Sequence, residues 1–166
     1  MKTEIINVLV IGTGGQGVVW LSNQIRKLSK TNGYYCVGAT FKGGAQKMGT
    51  VYSELRLVSN ASQIISSQIP YGKVDVLIAL EPWEALRFIN KCRSNTKAII
   101  NKNIERLYVE RQQNTTINPI DELNRNLKRI EWITPTKNLK INQFILDKII
   151  TLNLLPFKKS TYEKRK

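Results

Sequence analysis

The stretch Val8–Val19, VLVIGTGGQGVV, decides the fold. It starts with a continuous apolar run, which is typical of a parallel strand covered on both faces. Gly12, Gly14 and Gly17 follow in the G-x-G-x-x-G spacing, and an apolar repeat at spacings of three and four begins at Val18. A strand, a glycine loop and an amphipathic helix in this order predict an α/β protein whose loop lies at a helix N-terminus.

Strand-like and helix-like segments alternate along the rest of the chain. The patterns predict strands at 5–11, 34–41, 50–58, 74–80, 97–100 and 130–133, and helices at 18–31, 81–92, 118–129 and 141–155. The first strand, helix and second strand form a βαβ unit with an expected right-handed crossover. We therefore predict a Rossmann-like three-layer fold with a mostly parallel, doubly wound sheet. Residues 1–157 are interpreted as one domain and 158–166 as a basic C-terminal tail.

Composition narrows the function. No apolar run is long enough to cross a bilayer and no signal-peptide pattern is visible, so we expect a cytoplasmic protein. The formal net charge is +14, yet basic residues are not interleaved with aromatic ones as in RNA-binding modules, which disfavours a nucleic-acid partner. The chain has no histidine and two cysteines, Cys36 and Cys92, expected to be buried thiols. Serine–histidine catalysis and a metal site are therefore not predicted.

The glycine loop alone leaves its ligand open. Its backbone N–H groups are placed to face an anion at the helix N-terminus. The second strand, however, ends in Ala39-Thr40-Phe41-Lys42 and lacks the acidic residue that holds the ribose in NAD sites. NAD(P), another phosphate-bearing ligand, and a packing or interface loop all remain possible. Gln16 adds an amide that both donates and accepts, with a solvated side chain as the plain alternative.

Four segments in order resemble a known family: IGTGGQGVV, FKGGAQKMGTVYSELRL, IPYGKVDVLIALEPWEALRFI and AIINKN. Together they resemble the gamma-type subunit or domain of the 2-oxoacid:ferredoxin oxidoreductases, the pyruvate/ketoisovalerate oxidoreductase family, and within it the small (beta) subunit of indolepyruvate ferredoxin oxidoreductase. The resemblance covers about residues 5–130. It includes the Gly-Gly-Gln-Gly loop and the Asp-Val-Leu-x-x-x-Glu-Pro-x-Glu-Ala segment.

The second loop follows the family pattern only in part. That pattern commonly reads His-Gly-Met-Ala-Gln-Arg-Gly-Gly, whereas residues 42–49 here are KGGAQKMG. Gly43, Ala45, Gln46 and Gly49 match and Lys47 keeps the charge. The departures are Lys42, Gly44 and Met48.

The resemblance implies a supporting role. Such a subunit binds no cofactor by itself and assembles with a large subunit that carries thiamine diphosphate and iron-sulfur clusters. The assembly oxidatively decarboxylates 2-oxoacids to acyl-CoA with coenzyme A and passes electrons to ferredoxin. The alternative is a stand-alone, diverged Rossmann-like protein that binds a nucleotide or phosphate ligand. Catalytic residues are not predicted, and the candidate ligand or interface residues are Gly12, Gly14, Gly15, Gln16, Gly17, Lys42, Gly43, Gln46, Lys47, Gly49, Glu81 and Pro82.

Other residues have structural interpretations beside functional ones. Glu84 suits the positive end of a helix dipole, and Glu81 lies at a strand end where a crevice or interface role is equally open. The tryptophans are expected in the core or at subunit contacts. Three cations at 87, 91 and 93 are expected on a solvated helix face.

Overall fold

A computed structural model of the chain describes residues 5–43, 49–62, 66–104, 117–134 and 141–157. The tail at 158–166 lies outside these residues. The strands are β1 (Ile5–Thr13), β2 (Tyr35–Lys42), β3 (Thr50–Val58), β4 (Val76–Ala79), β5 (Lys97–Asn101) and β6 (Arg129–Ile133). The helices are α1 (Val18–Thr31), α2 (Pro82–Arg87), α3 (Pro119–Asn126) and α4 (Ile141–Thr151).

The six strands form one sheet in the order β2-β3-β1-β4-β5-β6. β1, β4, β5 and β6 are paired in parallel, whereas β3 is antiparallel to both of its neighbours. β2 thus runs in the same direction as β1, and only β3 runs against the others. The prediction of a mixed α/β protein with a mostly parallel sheet is confirmed.

The first crossover differs from a simple βαβ unit, because β3 lies between β1 and β2. β2 and β3 form a hairpin, and the more deeply buried strand takes the central position. Ser53, Glu54 and Leu55 of β3 are all buried, while β2 is exposed or half-buried along its length. An edge position suits β2, since one of its hydrogen-bonding edges needs no partner strand.

Apolar side chains cover both faces of the sheet. Alternate residues of β1 point to opposite sides: Val8 and Val10 belong to a cluster with α1 and α4, and Leu9 and Ile11 to one with α2 and α3. This is the period-2 pattern of a central strand. The described helices therefore form layers on the two sides of the sheet.

Several helices and one strand are shorter than predicted. The strand predicted at 74–80 is regular only over Val76–Ala79, and the helix expected to reach Cys92 ends at Arg87 before a 3₁₀ turn at Ile89–Lys91. α3 stops at Asn126 because Leu127 is extended and leads into β6. α4 stops at Thr151, before Asn153 adopts a positive φ of 48°. In the described ranges, no helix is long and apolar enough to span a membrane.

A buried ion pair joins β3 to the 3₁₀ turn. The Lys91 ammonium donates to the Glu54 carboxylate, whose other oxygen accepts from the Ile69 N–H. The Glu54 side chain is 2% exposed and that of Lys91 15%. Lys91 also donates to the Ile69 carbonyl at 3.1 Å. The prediction that Lys91 is solvated is therefore wrong, because its charge satisfies a carboxylate inside the α2 side of the sheet.

We expect Glu54→Ala to lower the free energy of unfolding by about 3 kcal/mol, because it leaves a buried ammonium and the Ile69 N–H without their acceptor. Urea unfolding followed by circular dichroism measures the change. Glu122→Ala is the matched control: it removes a carboxylate from the exposed Arg125–Glu122 pair and is expected to cost less than about 1 kcal/mol. Equal losses in the two variants would contradict the structural role of the buried pair.

Candidate functional site

A crevice of about 680 Å³ opens where β1 and β2 end and β3 begins. Its walls are the glycine loop, the first turn of α1 and the ends of the β2–β3 hairpin. The carboxyl ends of parallel strands are where ligands bind in open α/β sheets. The lining residues are Thr13, Gly14, Gly15, Gly17, Val18, Val19, Trp20, Asn23, Lys42, Gly43, Gly49 and Val51.

One hydrogen bond joins the two loops that the sequence singled out. The Gly14 N–H donates to the Gly49 carbonyl over 2.9 Å, next to the position where Thr13 of β1 pairs with Thr50 of β3. The Gly43 N–H donates to the Thr50 carbonyl at 2.7 Å, so the hairpin is closed below its tip. The glycine loop therefore lies beside the ends of the hairpin, where Lys42, Gly43 and Gly49 are placed. Gln46 and Lys47 lie outside the described residues.

Gln16 shapes the loop from within. Its Oε1 accepts from the Thr13 N–H at 2.8 Å, and its own N–H donates to the Thr13 carbonyl at 3.2 Å. A Cβ at Gly12 would lie 2.6 Å from Gln16 Oε1 and 3.0 Å from Leu80 Cβ. Gly12 therefore leaves room for the Gln16 side chain to fold back, and the Gln16 Oε1 is engaged inside the loop rather than left to solvent.

Gly17 makes room for a side chain from α4. It is the N-cap of α1 with a φ of 91°, and a Cβ there would lie 2.1 Å from Asn142 Nδ2. That nitrogen donates to the Gln16 carbonyl at 2.9 Å. Asn142 thus ties the last helix to the glycine loop. Sequence reasoning missed it, since nothing in the pattern of α4 links position 142 to residues far earlier in the chain.

The mouth of the crevice is electropositive. α1 has no acidic residue in its first turn and no side-chain cap at its N-terminus. The unpaired amides of a first helical turn carry about half a unit of positive charge. The exposed Lys42, at the end of β2, adds a full charge to the lining of the crevice. These groups favour an anionic group of a ligand or of another polypeptide.

An apolar rim lies beside this positive mouth. Val19 and Trp20 are 40% and 41% exposed, although both belong to the first turn of a helix that packs on the core. Trp20 also borders a second hollow, on the other side of Gly14 and Gly15, which reaches Asn142. A large exposed aromatic side chain between two concavities is typical of an interface residue.

Glu81 and Pro82 do not line the crevice. Both are buried, and Glu81 is the N-cap of α2, where its carboxylate accepts from the Glu84 N–H at 2.8 Å. Glu84 is also buried and lies 3.6 Å from Arg87 Nε. The helix-terminus interpretation of Glu84 is thus supported, while Glu81 caps the helix instead of facing the crevice.

Other predicted residues have ordinary structural environments. Trp83 and Trp132 are half-buried, and the Trp132 indole donates to Asn124 at 3.1 Å. Arg87 and Arg93 are exposed as predicted, although Arg93 is paired with Asp75.

The two cysteines are not arranged as a ligand pair. Both are partly rather than fully buried, and they pack in the clusters on opposite faces of the sheet. Burial raises the pKa of the Cys92 thiol from 9.0 to about 12, with a Thr96 hydrogen bond opposing it. Burial also raises the pKa of Cys36 against the effect of Arg26. Within the described residues no group of three His, Cys, Asp or Glu side chains is placed to hold a metal ion. An iron-sulfur cluster does not fit these residues.

We expect Gly17→Ala to destabilise the chain by about 2 kcal/mol. A methyl group adds strain at positive φ and also displaces the Asn142 amide. Gly15→Ala is the control, because Gly15 has a similar φ of 95° but open space around its Cβ. It should cost about 1 kcal/mol, from backbone strain alone. Thermal and urea unfolding measure both effects.

The contribution of Asn142 is isolated by repeating the comparison in an Asn142→Ala background. With the amide removed, Gly17→Ala and Gly15→Ala are expected to have similar costs. A difference that persists unchanged would show that the contact between α4 and the glycine loop is not the cause.

The thiols are expected to react slowly with iodoacetamide at pH 8, Cys92 at least about a hundredfold more slowly than in the unfolded chain, because alkylation requires the thiolate. Mass spectrometry of the alkylated peptides separates the two sites, with denatured protein as the control. Since the pKa of Cys92 is raised on folding, its contribution to stability is present below pH 9 and is lost between pH 9 and about 12. Alkylation of native Cys92 at the unfolded rate would contradict this environment.

Comparison with known sequences identifies a family. The model of the pyruvate ferredoxin/flavodoxin oxidoreductase family matches residues 7–143. The indolepyruvate oxidoreductase subunit IorB of Archaeoglobus fulgidus is 38% identical over 96 residues, covering 58% of this chain and 46% of that protein. The protein of the same name from Methanothermobacter thermautotrophicus is 32% identical over 98 residues, covering 59% and 48%. The chain spans about half the length of the curated relatives it matches.

Solved structures share the fold at low sequence identity. The pyruvate oxidoreductase subunit PORC of Thermotoga maritima matches 78% of this chain and 62% of its own length, with a TM-score of 0.51 and 11% identity. The 2-oxoglutarate:ferredoxin oxidoreductase of Magnetococcus marinus matches 64% of this chain and 18% of its own, with a TM-score of 0.52 and 16% identity. The match over residues 7–143 shows that the chain belongs to the pyruvate ferredoxin/flavodoxin oxidoreductase family.

Proposed function

We propose that this chain is the subunit without cofactors of a 2-oxoacid:ferredoxin oxidoreductase that acts on indolepyruvate or a similar 2-oxoacid. Its large partner subunit carries thiamine diphosphate and iron-sulfur clusters. The assembly decarboxylates the 2-oxoacid oxidatively, forms acyl-CoA with coenzyme A and reduces ferredoxin. Family membership and the similarity to two IorB subunits support this role.

The observation that carries the proposal is the crevice at the glycine loop. Gly14 and Gly49 join the two loops into one wall, and Val19 and Trp20 form an exposed apolar rim beside it. A rigid wall with a protruding tryptophan is suited to a protein neighbour, since aromatic side chains are enriched in interface cores. We infer that the large subunit packs here, with Gly12, Gly14, Gly15, Gln16, Gly17, Lys42, Gly43, Gln46, Lys47 and Gly49 as the interface loops.

The chemistry of the chain supports a positioning role. It has no histidine, and its two cysteines lie on opposite sheet faces with pKa values raised by burial. Such thiols are poor nucleophiles and poor metal ligands at neutral pH. The difficult steps in this kind of reaction belong to cofactors, while protein groups bind and orient. The proposal therefore assigns the cofactors to the partner and assigns to this chain the closing of the active site around the substrate.

A second candidate function is a stand-alone protein that binds a nucleotide or phosphate ligand. It is favoured by one observation: the uncapped N-terminus of α1 and the exposed Lys42 both line the crevice. Titration of the isolated chain with NAD(P), coenzyme A and ATP distinguishes the two. Binding in the crevice without a partner subunit would favour the second candidate.

We also propose a more specific fold class for this chain. Helices on both sheet faces and a glycine loop between β1 and α1 support a Rossmann-like, doubly wound fold, with β3 inserted beside β1 as a variation. We propose one domain over residues 1–157, a basic tail at 158–166 and a cytoplasmic location.

We expect Trp20→Glu to abolish co-purification with the co-expressed large subunit, because a carboxylate placed in an apolar interface loses its hydration. The measurement is affinity capture of the tagged chain followed by size-exclusion chromatography. Loss of 2-oxoacid-dependent ferredoxin reduction should accompany loss of the complex.

Leu152→Glu is the matched control, because Leu152 is also 41% exposed. It follows the C-terminal end of α4, whereas the N-terminal end of that helix contacts the glycine loop. It should leave the complex intact. Retention of the complex by Trp20→Glu, or full decarboxylating activity of the isolated chain, would contradict the proposal.

A further inference from the structure

A second polar concavity lies at the end of the sheet where the parallel strands begin. We call it the basal pocket; it has a volume of about 420 Å³. Arg93, Asn95, Lys97 and Arg129 supply its polar wall, and the turn at 153–156 after α4 covers it. The crevice at the glycine loop lies at the other end of β1 and shares no lining residue with this pocket, so the two sites are distinct.

Strand pairing forces two of these cations together. Lys97 is the first residue of β5 and Arg129 the first of β6, and the two are direct neighbours in the parallel register. Paired strands lie about 4.8 Å apart, and neighbouring residues project to the same face. That face is the α4 side, because Ile99 and Ile133, further along the same strands, belong to its core cluster. Like charges in this position repel each other unless an anion lies between them.

The nearby carboxylates are already engaged. Asp75 accepts from the Asn7 N–H at 2.8 Å and is paired with Arg93. Glu131, on the same face as Arg129, is bound to Lys148 at 3.0 Å. Across the described ranges, neither Lys97 nor Arg129 has an ion-pair partner.

The charges of the pocket therefore do not balance. Its lining holds three cations and one carboxylate, which leaves two positive charges uncompensated. The C-terminal end of α4 faces this region through Asn153 and contributes only about half a negative charge. A dianion offsets this excess of positive charge, and an arginine with a lysine is the combination that binds phosphate through a planar fork and a point charge.

Apolar groups complete the pocket. Ile5 and Ile6 of β1 and Leu154 of the covering turn line it beside the cations. A ligand that fits has a phosphate at one end and a compact apolar body at the other. A volume near the lower limit of small-molecule sites suits a small ligand rather than a folded partner.

We propose that the basal pocket binds a small phosphate monoester, with Lys97 and Arg129 holding the phosphate dianion. This site is independent of the proposed oxidoreductase role, because it shares no residue with the glycine-loop crevice. If the pocket does not bind phosphate, the proposed oxidoreductase role still stands. If the chain does not assemble with a large subunit, the phosphate site still stands.

The test is isothermal titration calorimetry of the full chain with phenyl phosphate at constant ionic strength. We expect saturable binding of one equivalent, with inorganic phosphate binding more weakly because it lacks the apolar body. Lys97→Gln with Arg129→Gln should raise Kd at least about tenfold, since hydrogen bonds to charged groups are the stronger ones. Arg129→Gln alone changes only an exposed residue and should raise Kd by a smaller factor.

Lys27→Gln with Lys102→Gln is the charge-matched control, because both lysines are exposed and neither lines the pocket. It should leave Kd within about twofold of the unmodified chain, because neither lysine lines the pocket that holds the phosphate. Thermal unfolding of each variant checks the fold, and the Lys97 and Arg129 variant is expected to be at least as stable once the facing charges are gone.

Three results overturn the proposal. They are no binding of phenyl phosphate, an equal loss in the pocket and control variants, or tighter binding of a hexaglutamate peptide than of phenyl phosphate. The last result would identify the pocket as a docking point for an acidic polypeptide instead.

Discussion

The double pairing of β1 is the constraint on which the other features depend. Along its length it is hydrogen-bonded to β3 in antiparallel register, and its middle is paired in parallel with β4. Seven consecutive residues, from Asn7 to Thr13, are buried. Because β1 is enclosed in this way, it fixes the positions of the segments at its two ends. The glycine loop has to leave it within a few residues at one end, and the first residues of β4, β5 and β6 are aligned near its other end.

The pairing with β3 also explains why two separate sequence motifs meet. Thr13 lies opposite Thr50, so the residue after β1 is brought next to the residue before β3. The bond from Gly14 to Gly49 then follows from the register and needs no ligand to hold it. A one-residue slip would turn Leu55 and Leu57 away from the core cluster in which they pack, and this cost keeps the loops in place.

The sequence was informative where one local pattern determined the answer. The apolar run in β1, the repeat in α1 and the Asn118-Pro119 start of α3 all predicted elements that the structure contains. Spatial order was harder, because nothing local says that β3 lies between β1 and β2. Long-range partners were missed for the same reason. The sequence around Lys91 predicts a surface lysine, and only the position of β3 in the sheet brings Glu54 beside it. Glu81 was likewise placed at a strand end correctly, but its burial as a helix cap depends on the three-dimensional path of α2.

The glycine spacing shows how one motif serves different purposes. In a dinucleotide site, glycines let the backbone approach a pyrophosphate. Here Gly12 accommodates Gln16 Oε1 and Leu80, and Gly17 accommodates Asn142, so two of the three motif glycines make room for other parts of the same chain. Gln16 makes the difference, because its side chain accepts the Thr13 N–H that an anion would otherwise compete for. A loop stabilised in this way keeps its shape without a ligand, and it presents Gly15 and Trp20 outward as a preformed surface. Preformed surfaces lose little conformational entropy on association, which is the property a subunit interface requires.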